Sequence, residues 1–440
     1  MKRLLFARIF SSVLTLLFAT SPSFSQDGLR FLSISDIHIN KNKLAAMQID
    51  PEGYNPQNDM DAGSYQEVMS LIKARAPQGP NTPDFVIYLG DMIGHKIDTN
   101  GRADFVKDNA ANVFRGLVAS FPDVPIINVF GNNDSLQKNY GDFQYDGMSP
   151  FTIATENGFK NGFLSTGVTC RDDGSAHEFP CLDQESPEFG YFSVQIRPKL
   201  SVVGLNSVMF SPLHMSNDTA IMSQLAFLSD ELQAAQKKGR SVLIAMHIPV
   251  GKNVFDGSHF WKSVHEDSFL ELVSHYKGLI KGVLVGHTHM EEFTIIRTEG
   301  MNIGQYFTAG LSTSHGNSPS VKMFDMAKNN ETWTISDYTV YQMHRAEDKK
   351  LTFGPYYTFS STYCSHLDTN DINRCLSRIQ FQDTQSRFTV GNPNNPSYPA
   401  ADPSGFYVNG APSEETSFTR HLKEWVFQSY AWLSAHGVLS

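Results

Sequence analysis

The run Phe31-Leu32-Ser33-Ile34-Ser35, ending in Asp36-Ile37-His38, carries the reading of the whole chain. It is short and largely apolar, and it stops abruptly at a polar cluster. Such a run predicts a strand buried on both faces. The same layout recurs at 85–89, 124–130, 241–246 and 282–285. Helical patterns fall between several of these runs, at 65–76, 105–121, 223–238 and 268–276. The third sets Leu225, Leu228, Leu232 and Ala235 on one face. Strands alternating with helices predict a layered α/β fold. Two more strands are expected at 191–196 and 200–205, on either side of Pro198.

Each principal run ends in residues that can do chemistry. The first ends in Asp36-Ile37-His38 and the second in Gly90-Asp91. The third ends in Gly131-Asn132-Asn133-Asp134, the fourth in His247, and the fifth in Gly286-His287-Thr288-His289. Ligands in open α/β sheets bind at the carboxyl ends of the strands. Five strand ends therefore bring Asp36, His38, Asp91, Asn132, His247, His287 and His289 to one edge. Taken singly these signals are weak. Asp-x-His and Gly-Asp usually mark ordinary turns, and a solitary strand-end His is more often a hydrogen-bonded core residue. Their order and placement are what point to metal. Carboxylate, amide oxygen and imidazole suit Zn, Mn or Fe. Seven ligands exceed the needs of one ion with an open position, but they suit two ions that share a carboxylate. Two ions about 3.5–4 Å apart can clamp a phosphoryl oxygen and activate a water. The cofactor expected is a pair of divalent transition metals, Zn first, with Mn and Fe as alternatives.

In that order, D-x-H, G-D, G-N-x-D/E, a strand-end H and G-H-x-H, these motifs resemble the calcineurin-like metallophosphoesterases over roughly residues 31–289. The chain is more particularly similar to the acid sphingomyelinase-like phosphodiesterases. Gly90-Asp91-Met92-Ile93-Gly94-His95 carries that likeness, as do Gln224-Leu225-Ala226-Phe227-Leu228 before Met246-His247-Ile248-Pro249, and the segment from Gly310-Leu311-Ser312 to Gly316-Asn317-Ser318-Pro319-Ser320. The resemblance implies a layered β-sandwich flanked by helices. It implies one metal on Asp36, His38 and His289, a second on Asn132, His247 and His287, and Asp91 bridging them, with a water between the ions as nucleophile. It implies hydrolysis of phosphodiester or phosphoanhydride bonds in small phosphorylated substrates such as nucleotides, with polyphosphate, phosphomonoesters or a catalytically inactive binding protein as alternatives. One departure matters: the family commonly has His after the motif Asn, and Asn133 stands there instead. Some polyphosphatases of the wider group resemble this chain in having G-N-N-D. That His usually protonates the leaving group or binds phosphate. The expected donor here is His95, four residues past Asp91, with His259 and His265 in reserve, since an imidazole suits proton transfer near neutral pH.

The remaining sequence bounds this reading. With Lys2, Arg3 and Arg8, a short apolar stretch and Ser23-Phe24-Ser25, residues 1–25 read as a cleaved export signal. That segment holds three cations and no anion, so its removal takes the net charge from −10 to −13. An acidic chain argues against nucleic-acid binding, while bound metals can still attract an anionic substrate. No later stretch is long and apolar enough for a membrane anchor. Cys170 and Cys181 are close in sequence, as are Cys364 and Cys375, and in an exported protein they predict two local disulfides. Acid sphingomyelinase carries a saposin domain ahead of its catalytic domain. Only Gln26 to Arg30 precede the first strand here, so no such lipid-extracting segment is expected. The catalytic domain is expected over 26–345 and a small helical extension over 346–440. Loops are expected at 41–63, 251–266 and 389–411. Phe418, Leu422, Trp425, Val426 and Tyr430 predict an amphipathic helix near the end.

Overall fold

In the computed structural model, the apolar runs become the inner strands of two sheets. Residues 28–42, 58–75, 82–95, 101–171, 178–215, 218–345, 351–365, 372–388 and 403–409 are described. The chain starts with two β-α-β units: β1 (Gly28–Ile34), α1 (Ala62–Arg75), β2 (Phe85–Tyr88), α2 (Arg102–Ser120) and β3 (Ile126–Asn128). These three strands pair in parallel, and β2 and β3 are buried throughout. After α3 (Pro150–Glu156) come β4 (Cys181–Ser186), β5 (Tyr191–Arg197) and β6 (Leu200–Leu205). A second parallel set follows: α4 (Asp218–Lys238), β7 (Ser241–Met246), α5 (Ser263–His275) and β8 (Ile280–Val285). The chain then turns mainly antiparallel through β9 (Phe293–Thr298), β10 (Met301–Phe307), β11 (Ser320–Asn329), β12 (Thr332–Arg345) and β13 (Leu351–Thr358). It continues through α6 (Phe359–Tyr363) and α7 (Phe381–Phe388) to β14 (Tyr407–Asn409).

One sheet has six strands, in the order β13-β12-β11-β1-β2-β3. The other has eight, in the order β14-β9-β10-β8-β7-β6-β5-β4. Aromatic rings pack between them. Tyr306 of β10 lies 5.7 Å from Phe324 of β11 and 5.5 Å from Tyr338 of β12, and all three side chains are buried. Within the six-stranded sheet, Phe31 stacks on Phe85 at 5.0 Å and on Phe324 at 4.7 Å. This row ties the first strand to both neighbours by dispersion and apolar burial. Leu225, Leu228, Leu232 and Ala235 of α4 are buried, on the single face that their spacing predicts.

The layered α/β sandwich flanked by helices is present, and both disulfides form, Cys170–Cys181 and Cys364–Cys375. The segment beyond 345 contributes strands β13 and β14 to the sheets as well as short helices. The expected loop at 251–266 is shorter than read, because α5 begins at Ser263. The expected export signal, most of the 41–63 loop, most of the Pro/Asn-rich stretch and the tail helix lie outside the described residues. Among the described residues no helix is long and apolar enough to cross a membrane.

Phe324 is fully buried at the centre of the aromatic row. Phe324→Ala should therefore cost about 3–5 kcal/mol of unfolding free energy, read as a lower denaturant midpoint with unchanged slope. A loss below about 1 kcal/mol would mean that the row does not join the strands.

Candidate active site

The backbone at the strand ends is unusual before any side chain is considered. Asp36, His38, Asp91, His287 and His289 all have positive φ, between 45° and 75°. Non-glycine residues rarely adopt this left-handed region, although Asp, Asn and His tolerate it best. The strain is local, and its effect is to turn each chain end sharply so that the side chains converge. Glycine makes the crossing possible. Gly90 has φ 94°, and a Cβ there would come within 2.6 Å of the Gly131 nitrogen. The second and third strand ends can approach only because both carry glycine.

Around that crossing the structure brings together all seven residues singled out in the sequence. His247 Nε2 is 3.2 Å from Asp91 Oδ2 and 3.0 Å from Asn132 Oδ1. His38 Nε2 is 3.5 Å from Asp91 Oδ2 and 3.7 Å from Asp36 Oδ1. His289 Nε2 is 3.3 Å from Asp36 Oδ1 and 3.0 Å from His38 Nε2. Asp91, His247 and His287 form one compact donor group, and Asp36, His38 and Asp91 another, with Asp91 common to both.

This donor set fits cations. His38 Nδ1 faces the Ile93 carbonyl at 3.0 Å, and His247 Nδ1 faces the Leu89 carbonyl at 2.8 Å. Both Nδ1 atoms must donate, so in the neutral rings the Nε2 lone pairs point inward. There they meet carboxylate and amide oxygens, which are also acceptors. Asp36 Oδ1 is buried without a hydrogen-bond partner. Such an array repels itself unless positive charge sits at its centre. With protons alone available, two imidazoles take that role. Burial would lower His38, but the nearby carboxylates of Asp36 and Asp91 carry it up to about 9. His247 likewise reaches about 9: burial opposes the shift, and the charge of Asp91 and their hydrogen bond outweigh it. Burial and the neighbouring His247 instead bring His287 down to about 4. A metal ion would displace the protons on His38 and His247.

A second layer holds the array. Asp134 accepts from the backbone N–H groups of Asp91 (3.0 Å), Met92 (2.8 Å) and Gly131 (2.9 Å), clamping the two glycine-bearing ends together. Asn133 donates to Asp91 twice, from its backbone at 2.8 Å and its amide at 2.9 Å. Arg102, buried at the start of α2, donates to the carbonyls of Asn133 and Ser135.

A cleft of about 430 Å³ opens onto the array. His95, Asn133, Tyr140, Phe260 and His315 are among the residues that line it. His95 stacks on His38 at 4.1 Å, and its Nδ1 is 2.7 Å from Asp59 Oδ1. His259 and His265 do not reach the cleft. His259 pairs with Glu266 and is half exposed, while His265 is buried on α5 against Phe210. Asp59, Tyr140 and His315 are not singled out by the sequence. Asp59 lies in an irregular segment, and His315 is a solitary imidazole in a Ser/Thr/Gly stretch, so neither carries a spacing signal.

A buried cluster of hard and borderline ligands at the carboxyl edges of an α/β sandwich is a site suited to divalent metal ions. The profile of the calcineurin-like phosphoesterase family matches residues 29–291. That is more than half of the chain, and the protein belongs to this family. Among curated proteins it is similar to "Sphingomyelinase phosphodiesterase D" of Dictyostelium discoideum, 25% identical over 59% of this chain and 56% of that one. It is similar to "Sphingomyelin phosphodiesterase" of Bos taurus, 27% identical over 63% of this chain and 42% of that one. "Cyclic GMP-AMP phosphodiesterase SMPDL3A" of Bos taurus is 22% identical over 69% of this chain and 68% of that one. The chain spans about half the length of the first two relatives.

Asp134 does not line the cleft, yet three backbone donors depend on it. Asp134→Asn should weaken Mn binding to the metal-stripped protein by about 10–100-fold, measured by calorimetric titration. Unchanged affinity would show that Asp91 holds its place without the clamp.

Proposed function

We propose that this chain is an exported, two-metal phosphodiesterase acting on small soluble phosphodiesters, nucleotides included. The observation that carries the reading is the convergence of six metal-type side chains from five strand ends around a seventh, the carboxylate of Asp91. In this reading Asp36, His38 and His289 hold one ion, Asn132, His247 and His287 the other, and Asp91 both. Two divalent ions would polarise the phosphoryl oxygens and supply a water activated for attack, Zn being the first choice and Mn and Fe the alternatives.

The chain's own groups supply the rest. Asp91 keeps its carboxylate in place through the two donors of Asn133. His38 and His247 are oriented by backbone carbonyls. His95, fixed at Nδ1 by Asp59, is the proton donor to the leaving oxygen. Tyr140, Phe260 and Phe255 give the cleft an aromatic side, and Asn139 and Asn253 give it amides. That wall suits a planar, hydrogen-bonding group on a soluble diester better than an acyl chain. Asn133 in place of the family's common His keeps polyphosphate as the second substrate. The two local disulfides fit export to an oxidising compartment.

The first test is turnover of bis(4-nitrophenyl) phosphate by chelator-stripped protein reloaded with Mn or Zn. Activity should return with two metal equivalents per chain, and Asp91→Asn should abolish it and release both. Full activity with one ion, or none, contradicts the reading. A folded, two-metal protein that turns over neither diester, monoester nor polyphosphate would be a binding protein instead.

Proton donation has its own signature. His95→Ala should cost about 10²–10⁴-fold on an alkyl phosphodiester and far less on a nitrophenyl ester, whose leaving group needs little protonation. Equal losses on both esters would make His95 a binding residue. For the substrate class, efficient cleavage of sphingomyelin in detergent-free vesicles, with no helper protein, would overturn the preference for soluble diesters.

A further inference from the structure

His315 is half-buried, lines the cleft, and has no role in the reading above. Its ring lies 4.1 Å from that of His289 and 5.9 Å from that of His95. It belongs to none of the compact donor groups formed around Asp36 and Asp91. It does not orient His289 by a hydrogen bond either, because His289 Nδ1 has no partner. A cleft imidazole that is neither ligand nor hydrogen-bonding support for this ligand needs another explanation.

The turn that presents it is firmly built. Leu311 and Ser312 donate their backbone N–H groups to the carbonyls of Ser35 (3.2 Å) and Asp36 (3.1 Å). Asn317 Nδ2 donates to the carbonyls of Gly310 (2.8 Å) and Ser312 (2.9 Å). The Gly316 N–H closes on the Thr313 carbonyl at 3.0 Å, with Gly316 at φ 73°. The turn is thus anchored to the strand end that carries Asp36. His315 is held at a fixed distance from the metal array, and such preorganisation is what a transition-state contact requires.

Asn133 supplies the complementary observation. It lines the cleft, but its amide is engaged with Asp91 Oδ2 at 2.9 Å. One of its two amide N–H groups is therefore spent on Asp91 and not on substrate.

We infer that His315 is a substrate-contacting residue, donating an N–H hydrogen bond to a phosphoryl oxygen alongside the reduced donor capacity of Asn133. This rests on the phosphoesterase reading of the site. An imidazole carries at least one N–H in either protonation state, and it can donate without any proton transfer. His315 and His95 thereby divide two roles, oxyanion contact and proton donation.

The test uses the full chain loaded with Mn and compares His315→Ala, His315→Phe and His315→Gln. Three quantities are read: metal content, binding of inorganic phosphate by calorimetry, and kcat/KM on bis(4-nitrophenyl) phosphate. Ala and Phe should keep both metals, weaken phosphate about tenfold, and lose about 10²-fold in kcat/KM, as for the loss of one oxyanion donor. Gln, which restores an N–H, should recover most of both. Phosphate binding and kcat/KM unchanged in the Ala variant would overturn the inference. So would metal loss parallel to activity, which would make His315 a packing support for His289. Failure of the wild-type protein to turn over any diester would instead contradict the phosphodiesterase reading, and phosphate binding would still decide the role of His315.

Discussion

The placement of Asp91 at the crossing of two glycine-bearing strand ends is the constraint on which the site depends. Its carboxylate is within 3.5 Å of two imidazoles, His38 and His247, that come from different sheets. Its backbone is left-handed, its N–H is clamped by Asp134, and Gly131 passes so close that a side chain there would overlap it. A buried carboxylate with this many neighbours is stable only with compensating positive charge. The His partners hold Asp91 well below the usual carboxylate range despite burial. Cation binding and the local fold are therefore one problem: the groups that would coordinate metal repel one another unless a metal, or protons on His38 and His247, supplies positive charge.

This constraint explains the division of labour in the fold. The parallel halves, β1-β2-β3 and β6-β7-β8, point their carboxyl ends at one place and carry the ligands. The antiparallel strands β11, β12 and β13 supply the flank on which the halves rest. A buried pair, Lys322 on β11 with Glu291 two residues beyond His289, at 2.9 Å, links the flank to the loop of His287 and His289. Tyr357 of β13 donates to the same Glu291 oxygen at 2.8 Å. The antiparallel half thus sets the stage for the ligands while contributing none.

Most of the parallel half was legible in the sequence, because buried parallel strands are continuous apolar runs and their ends carried recognisable residues. The five runs became β1, β2, β3, β7 and β8, and the two strands expected around Pro198 became β5 and β6. Strands β4 and β9 to β14 were not read. β13, for example, alternates buried and partly exposed positions and contains Gly354 and Pro355, which weakens any run-based signal. The convergence of the seven side chains was legible because spacing and strand ends coincide. Asp59, Asp134 and His315 were not assigned roles, since each acts through a tertiary contact that local pattern does not encode. His259 and His265 show the reverse. Imidazoles on a promising loop were turned away from the cleft by α5, which starts a turn earlier than the loop was expected to end.

The central claim is that Asp91 is shared by two ions. Anomalous diffraction from crystals of the metal-loaded protein, collected on both sides of the Mn or Zn absorption edge, tests it most directly. The account predicts two peaks of comparable height flanking the Asp91 carboxylate, about 3.5–4 Å apart, one beside Asp36, His38 and His289 and the other beside Asn132, His247 and His287. A single peak, or two peaks with Asp91 bound to neither or to only one, would contradict it.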